Sequence, residues 1–203
     1  MSEERWCHSG VLGALLLLAS APTISGVAGS VHDLSAEDFS GGEICVVCHT
    51  PHNALIVEDG PLWNHELTST ESYTLYGSPF MVSVTEQPRG VSRLCLSCHD
   101  GTVALGSFGG SSSGTYMAGE ARLGVTLADD HPVSIRWEHQ NEVNSLCLNC
   151  HSLHPPDFVS ELPFFGGYVE CATCHDVHDG TGYESLLRIP MQDSELCLHC
   201  HGK

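Results

Sequence analysis

Cys45-Val-Val-Cys48-His49 is the first of five copies of Cys-x-x-Cys-His in the chain. The others are Cys95-Leu-Ser-Cys98-His99, Cys147-Leu-Asn-Cys150-His151, Cys171-Ala-Thr-Cys174-His175 and Cys197-Leu-His-Cys200-His201. Two thiols at this spacing can add to the two vinyl groups of one haem, and the adjoining histidine then falls under the iron as its proximal ligand. Paired Cys-x-x-Cys units can also close zinc sites, and one alone can be a redox dithiol. Neither explains the histidine. With 14 histidines in 203 residues, a histidine after all five pairs arises by chance on the order of once in a million, so the haem-attachment motif is the reading adopted. Five covalently attached haem c groups are expected. They use every cysteine except Cys7 and leave none for disulfides.

Arg5, the apolar run from Val11 to Ala19 and the small residues up to Gly29 have the layout of a secretory leader too short to span a bilayer. Residues 1–29 are therefore expected to be a signal peptide, and 30–203 a pentahaem cytochrome c domain with no membrane span after cleavage. The motif itself implies export, since covalent haem attachment in bacteria takes place outside the cytoplasmic membrane. Beyond residue 30, six basic residues face 23 acidic ones, a net charge of −17. Nucleic acid and anionic lipid would be repelled, and positively charged or metal-oxide surfaces attracted. Ordinary solubility explains the same charge.

The 30–203 region offers few long periodic segments. The expected fold is mostly irregular and haem-cored, with short helices at the motifs and a few short strands. Metal-dependent domains unfold without metal, and the same coupling would leave the apo-chain disordered. Ser35-Ala-Glu-Asp38 suggests a helical turn after His32, and Pro51 stops any helix over the first motif. Short strands are expected at 72–76 and 80–84 around Gly77-Ser78-Pro79, and again at 121–127 and 133–137. Ser92 and Ser194 are candidate N-caps for the second and fifth motifs, and Asn144-Ser145 starts a helix at the third. Gly106 to Gly114 reads as a flexible Gly/Ser-rich loop. The first three motifs begin 50 and 52 residues apart and the last three 24 and 26, so the C-terminal half is the denser cluster.

The five motif histidines, His49, His99, His151, His175 and His201, are the expected proximal ligands. His32, His52, His65, His131, His139, His154 and His178 remain beyond the leader, with His199 inside its own motif. Seven free histidines suffice for five bis-histidine irons. His52, His154 and His178 each follow a motif histidine by three residues. The porphyrin plane bars such a residue from the far face of its own haem, but it can reach a neighbouring one. His65 and His131, beside Trp63 and Pro132, and His32 on the arm complete the candidate distal set. His139 sits in a polar run and reads as solvated. Met81, Met117 and Met191 are the minority alternative.

Ile44 to Asn53, Pro61-Leu-Trp-Asn-His65, Leu94 to Thr102, Asp130-His-Pro132 and Cys171 to His178 resemble the doubled-CxxCH multihaem cytochromes c. Within that group the chain resembles the small subunits of extracellular cytochrome filaments. Those carry four haems, so the Cys147 to His154 segment looks like an additional site. The resemblance implies electron conduction through stacked bis-histidine haems and self-assembly head to tail. Other cytochromes, metal oxides or electrodes would be the acceptors, outside the cell, or in the periplasm for a soluble carrier. Six-coordinate iron leaves no open position for substrate, and a multihaem reductase of nitrite, hydroxylamine or a sulfur oxyanion needs both an open iron and cationic groups around it. A non-enzymatic role is expected.

Overall fold

The computed structural model describes residues 26–79, 81, 86–137, 162–179 and 183–201. The leader up to residue 25, most of the expected 80–84 strand, and the third motif with His139 and His154 lie outside the described residues. The chain is mostly irregular, as the sparse periodicity foretold. Among the described residues the regular elements are four two-residue strands and three helices: β1 (Thr74–Leu75), α1 (Gly90–His99), β2 (Thr126–Leu127), β3 (Ile135–Arg136), β4 (Tyr168–Val169), α2 (Cys171–Cys174) and α3 (Glu195–Leu198), with short 3-10 turns between them.

The strands lie where the alternating segments suggested, but their partners differ. β1 pairs in parallel with β2, Thr74 opposite Thr126, and β3 pairs antiparallel with β4, Ile135 opposite Val169. Each expected strand thus joins a segment remote in sequence, and β4 carried no signal of its own. The parallel pair buries Tyr73, Leu96 and Leu127 in one cluster, with Leu75 against it. Leu96 is 1% exposed, and burying such a side chain contributes about 2 kcal/mol. A second cluster of Trp137, Leu162 and Ile189 gathers Phe164, Val169, Leu196 and Cys200 around it.

Four local details differ from expectation. α1 begins at Gly90, so Ser92 is inside the helix and its hydroxyl leaves the helix end for the Glu170 carboxylate. Ser194 does precede α3 but makes no side-chain cap bond. The 106–114 loop is tied across its neck: Leu105 N–H donates to Thr115 O and Gly106 N–H to Ser113 O, both at 2.9 Å. Phe108 at its tip bridges to His65. On the arm, the helical turn falls at Asp38–Ser40, while Asp33 rather than Asp38 bonds Ser35.

Candidate functional site

The described motifs share one local turn. His49, His175 and His201 each donate their backbone N–H to the carbonyl of the first motif cysteine, at 2.8, 3.0 and 2.8 Å. The second motif lies on the last turn of α1. One helical turn brings residues three and four apart onto a common face. That is the arrangement in which two thiols and one imidazole can address a single flat group.

A returning segment then fixes each histidine. Asn64 N–H donates to Cys48 O at 2.9 Å, and His49 Nδ1 lies 2.9 Å from Pro61 O. Leu123 N–H donates to His99 O at 2.7 Å, and His99 Nδ1 lies 2.7 Å from Ala121 O. Arg188 N–H donates to Cys174 O, and His175 Nδ1 lies 2.8 Å from Ser185 O. A carbonyl only accepts, so Nδ1 carries the proton in all three rings and Nε2 keeps its lone pair for a metal. This second contact orients a metal-binding imidazole. Around the second motif Gly101, at φ 76°, makes a turn where a Cβ would stand 2.5 Å from Arg122 Nε. Around the fourth, Arg188 clasps Asp176 at 2.5 Å and Ala172 O at 2.9 Å.

Three motif histidines face a second histidine. His32 and His99 have ring centres 6.0 Å apart, His49 and His178 5.9 Å, and His131 and His201 6.3 Å. Two imidazoles on opposite sides of one metal, each nitrogen about 2 Å from it, would place their ring centres about 6 Å apart. The edge contact of Trp63 on His49 has a similar spacing, 6.2 Å, so spacing alone does not single out a ligand pair. What sets the pairs apart is that each has at least one ring, His49, His99 or His131, locked with Nε2 free to ligate. His131 shows the same locking, its Nδ1 lying 2.9 Å from Pro132 O.

His178, His131 and His32 are therefore brought opposite motif histidines of the same chain. His65 faces no ring among the described residues, but it is buried beside the second motif, its Nδ1 2.8 Å from Glu66 O and its Nε2 3.2 Å from Ala104 O and 3.6 Å from Cys98 Sγ. The Pro61 to Asn64 stretch before it serves the first motif. His52 is exposed and lines a cavity of about 690 Å³ with Val46, Thr50, Asn64 and Phe108. Among the described residues no ring faces His52 or His175. His199 turns its Nδ1 to Glu195 O at 3.0 Å, and Met191 is exposed.

The thiols form a connected series. Cys98 feels the charge of Cys48, Cys95 shares a hydrogen bond with Cys171, Cys174 feels Cys197, and Cys200 feels Cys174. The first, second, fourth and fifth motifs are thus neighbours in that order. Burial pushes the free thiols of Cys48 and Cys200 up to about 11 and that of Cys98 to about 12. Two buried indole N–H groups, of Trp63 beside His49 and of Trp137, have no acceptor among the described residues. Buried donors rarely go unpaired, and a bound group carrying carboxylates would satisfy them. The residues fit haem.

Nothing in the sequence announced the carbonyl clasps, because any residue supplies a carbonyl. The carboxylate of Glu170 between the second and fourth motifs also went unread, since one acidic residue before a motif has no pattern.

Residues 163–203 match the family described as "Doubled CXXCH motif". The chain is also similar to "Multiheme cytochrome MtrA" of Shewanella baltica (strain OS185), 26% identical over 180 residues that make up 88% of this chain and 47% of that protein. The chain thus spans about half the length of the curated relative it matches. With its five attachment motifs, these similarities identify the chain as a multihaem c-type cytochrome.

Proposed function

We propose that the chain carries five haems and conducts electrons over long range outside the cytoplasmic membrane, without substrate chemistry of its own. The observation that carries this reading is the set of three facing histidine pairs, each able to close both axial positions of one iron. Bound haem would supply a one-electron iron couple held at low potential by two imidazoles. The chain's residues do the rest. Cys45 and Cys48, Cys95 and Cys98, Cys171 and Cys174, and Cys197 and Cys200 anchor the group at each described site, and Cys147 and Cys150 do so at the fifth. His178 serves as distal ligand opposite His49, His32 opposite His99, and His131 opposite His201. His154 and His52, each barred from its own haem, are assigned to the irons of His175 and His151 in that order. Carbonyls of Pro61, Ala121 and Ser185 hold the rings in the ligating tautomer, and the series of neighbouring thiols supports closely stacked sites.

The leader directs export. Copies stacked head to tail would extend conduction beyond one chain, and a contact whose rotation does not close a ring grows into an open helical filament. Other cytochromes, metal oxides or electrodes accept the electrons. His32 faces His99 within its own chain, which argues against the arm as an interchain donor. The test is a reduced-minus-oxidised spectrum with carbon monoxide and cyanide: unaltered low-spin bands are expected, and a rapid adduct would show an open iron and a reductase. Electron microscopy of the secreted fraction separates a filament subunit from a soluble periplasmic carrier.

A further inference from the structure

We infer that Glu170 is a proton-binding site coupled to electron uptake at the two haems attached through Cys95 and Cys171. The inference rests on the electron-transfer reading above. Glu170 is 2% exposed and sits where α1 meets α2. It is five residues before the iron ligand His175, and its side-chain partners are serines, not histidines. Ser92, three residues before Cys95, donates its hydroxyl to Glu170 Oε2. Ser134 donates to both carboxylate oxygens, at 3.2 and 3.0 Å. Each serine in turn accepts a backbone N–H, Ser92 from Cys171 at 2.9 Å and Ser134 from Arg89 at 3.0 Å. The carboxylate is thus joined through Ser92 to the backbone of Cys171 and to the helix that carries Cys95 three residues on.

Among the described residues no cation touches this carboxylate. Arg89 is near enough to favour its charge, but Arg89 is engaged by Glu58 at 2.5 Å and lies 4.3 Å over the Tyr168 ring, which Arg136 also approaches at 5.2 Å. Asp59 opposes ionisation from the facing loop. Cys95 and Cys171 are consumed as thioethers once haem is attached and do not titrate. Burial pushes the Glu170 carboxyl up to about 7, with the two serines holding it from rising further. A group so balanced responds to one added charge nearby.

Uptake of one electron from an upstream cytochrome or a chemical mediator converts one Fe(III) to Fe(II) and leaves this junction one charge more negative. Glu170 then takes one proton from solvent, its carboxylate becoming a neutral acid, and reoxidation returns both particles. The surface groups Arg89, Glu58 and Asp59 lie on the solvent side of the network.

The experiment is spectropotentiometric titration of the intact haem-loaded protein at pH values on both sides of neutrality, for wild type and Glu170→Gln. In wild type the midpoint of a haem at this junction should fall as pH rises, at the limit tenfold in the reduction equilibrium per pH unit, which is about 59 mV for a one-electron couple. Glu170→Gln should lose that component, while haem propionates, present in both proteins, contribute equally. Ser134→Ala, which keeps the carboxyl but removes a donor to its charged form, should move the pH window upward. Reduced-minus-oxidised infrared spectra should show a carboxylic-acid carbonyl band in wild type that is missing in Glu170→Gln. Equal pH slopes in wild type and Glu170→Gln, or an unchanged infrared difference, overturns the proposal. Should Glu170→Gln fail to mature, an unmoved window in Ser134→Ala overturns it. Five low-spin, reducible haems in these variants keep the electron-carrier reading intact whichever way the proton result falls.

Discussion

Replacing Asp100 with alanine tests whether a buried carboxylate holds the second motif in place. Asp100 directly follows His99 and is fully buried. Its Oδ2 accepts hydroxyl donors from Thr68, from Tyr73 at 2.6 Å and from Thr70 at 3.0 Å, and its Oδ1 accepts the backbone N–H and hydroxyl of Thr102, both at 2.8 Å. Hydrogen bonds to a charged acceptor are each worth about 1.5–3 kcal/mol, and donors stranded by loss of a buried partner add their own desolvation cost. Because the five bonds act as one network, the sum overstates the loss, and Asp100→Ala should cost about 3–5 kcal/mol. For a chain of this size that lowers the melting temperature by roughly 6–20 °C.

Thermal unfolding of the haem-loaded protein, followed by circular dichroism at several pH values, reads both the size and the sign. Burial acts to raise the Asp100 carboxyl, but the hydrogen bonds from Thr68, Tyr73 and Thr102 outweigh it and leave the group below the usual carboxylate range. Folding then favours the ionised form, so its contribution is present above the ordinary carboxylate range and is lost as pH falls through the depressed folded value. Asp100→Ala should be destabilised at neutral pH and should converge on wild type in strong acid. A melting shift under about 2 °C at pH 7, or an unchanged gap in acid, would refute the assignment.

His178→Met should leave five haems attached by intact mass spectrometry but change one low-spin signal in the electron paramagnetic spectrum and raise one midpoint potential; an unaltered spectrum removes His178 from the first site. Leu96→Ala, at the centre of the cluster with Tyr73 and Leu127, should cost about 2–5 kcal/mol in denaturant unfolding. Glu170→Gln should flatten the alkaline loss of stability. With a folded value near 7, the wild-type contribution is full below the ordinary glutamate range and disappears as pH rises through 7, a span of about 3 kcal/mol. Intact mass spectrometry of the exported protein should show five haem masses, and four would mean one motif is idle.

What could be read from the sequence was the part written in rare residues at fixed spacing. Cys-x-x-Cys-His needs both thiols and an imidazole on one turn, so the chemistry leaves a local trace, and three of the four described motif histidines meet a partner from the candidate distal set. His65 shows why the rest was opaque. Its setting beside Trp63 pointed to a local role, yet the fold sets its Nε2 beside Cys98 of the second motif, remote in sequence, while the residues just before it hold His49 through Pro61 O and Asn64 N–H. Backbone groups do the orienting, and they are the same in every residue. The strands show the same limit: alternation located Thr74–Leu75, Thr126–Leu127 and Ile135–Arg136 but not Tyr168–Val169, and each pairing joins segments remote in sequence, not neighbours across a local turn. In a chain whose large apolar surfaces are the expected haems, local periodicity governs little of the packing. The residues that decide the geometry are therefore single polar side chains such as Asp100 and Glu170, placed beside the motifs and answering to their charge.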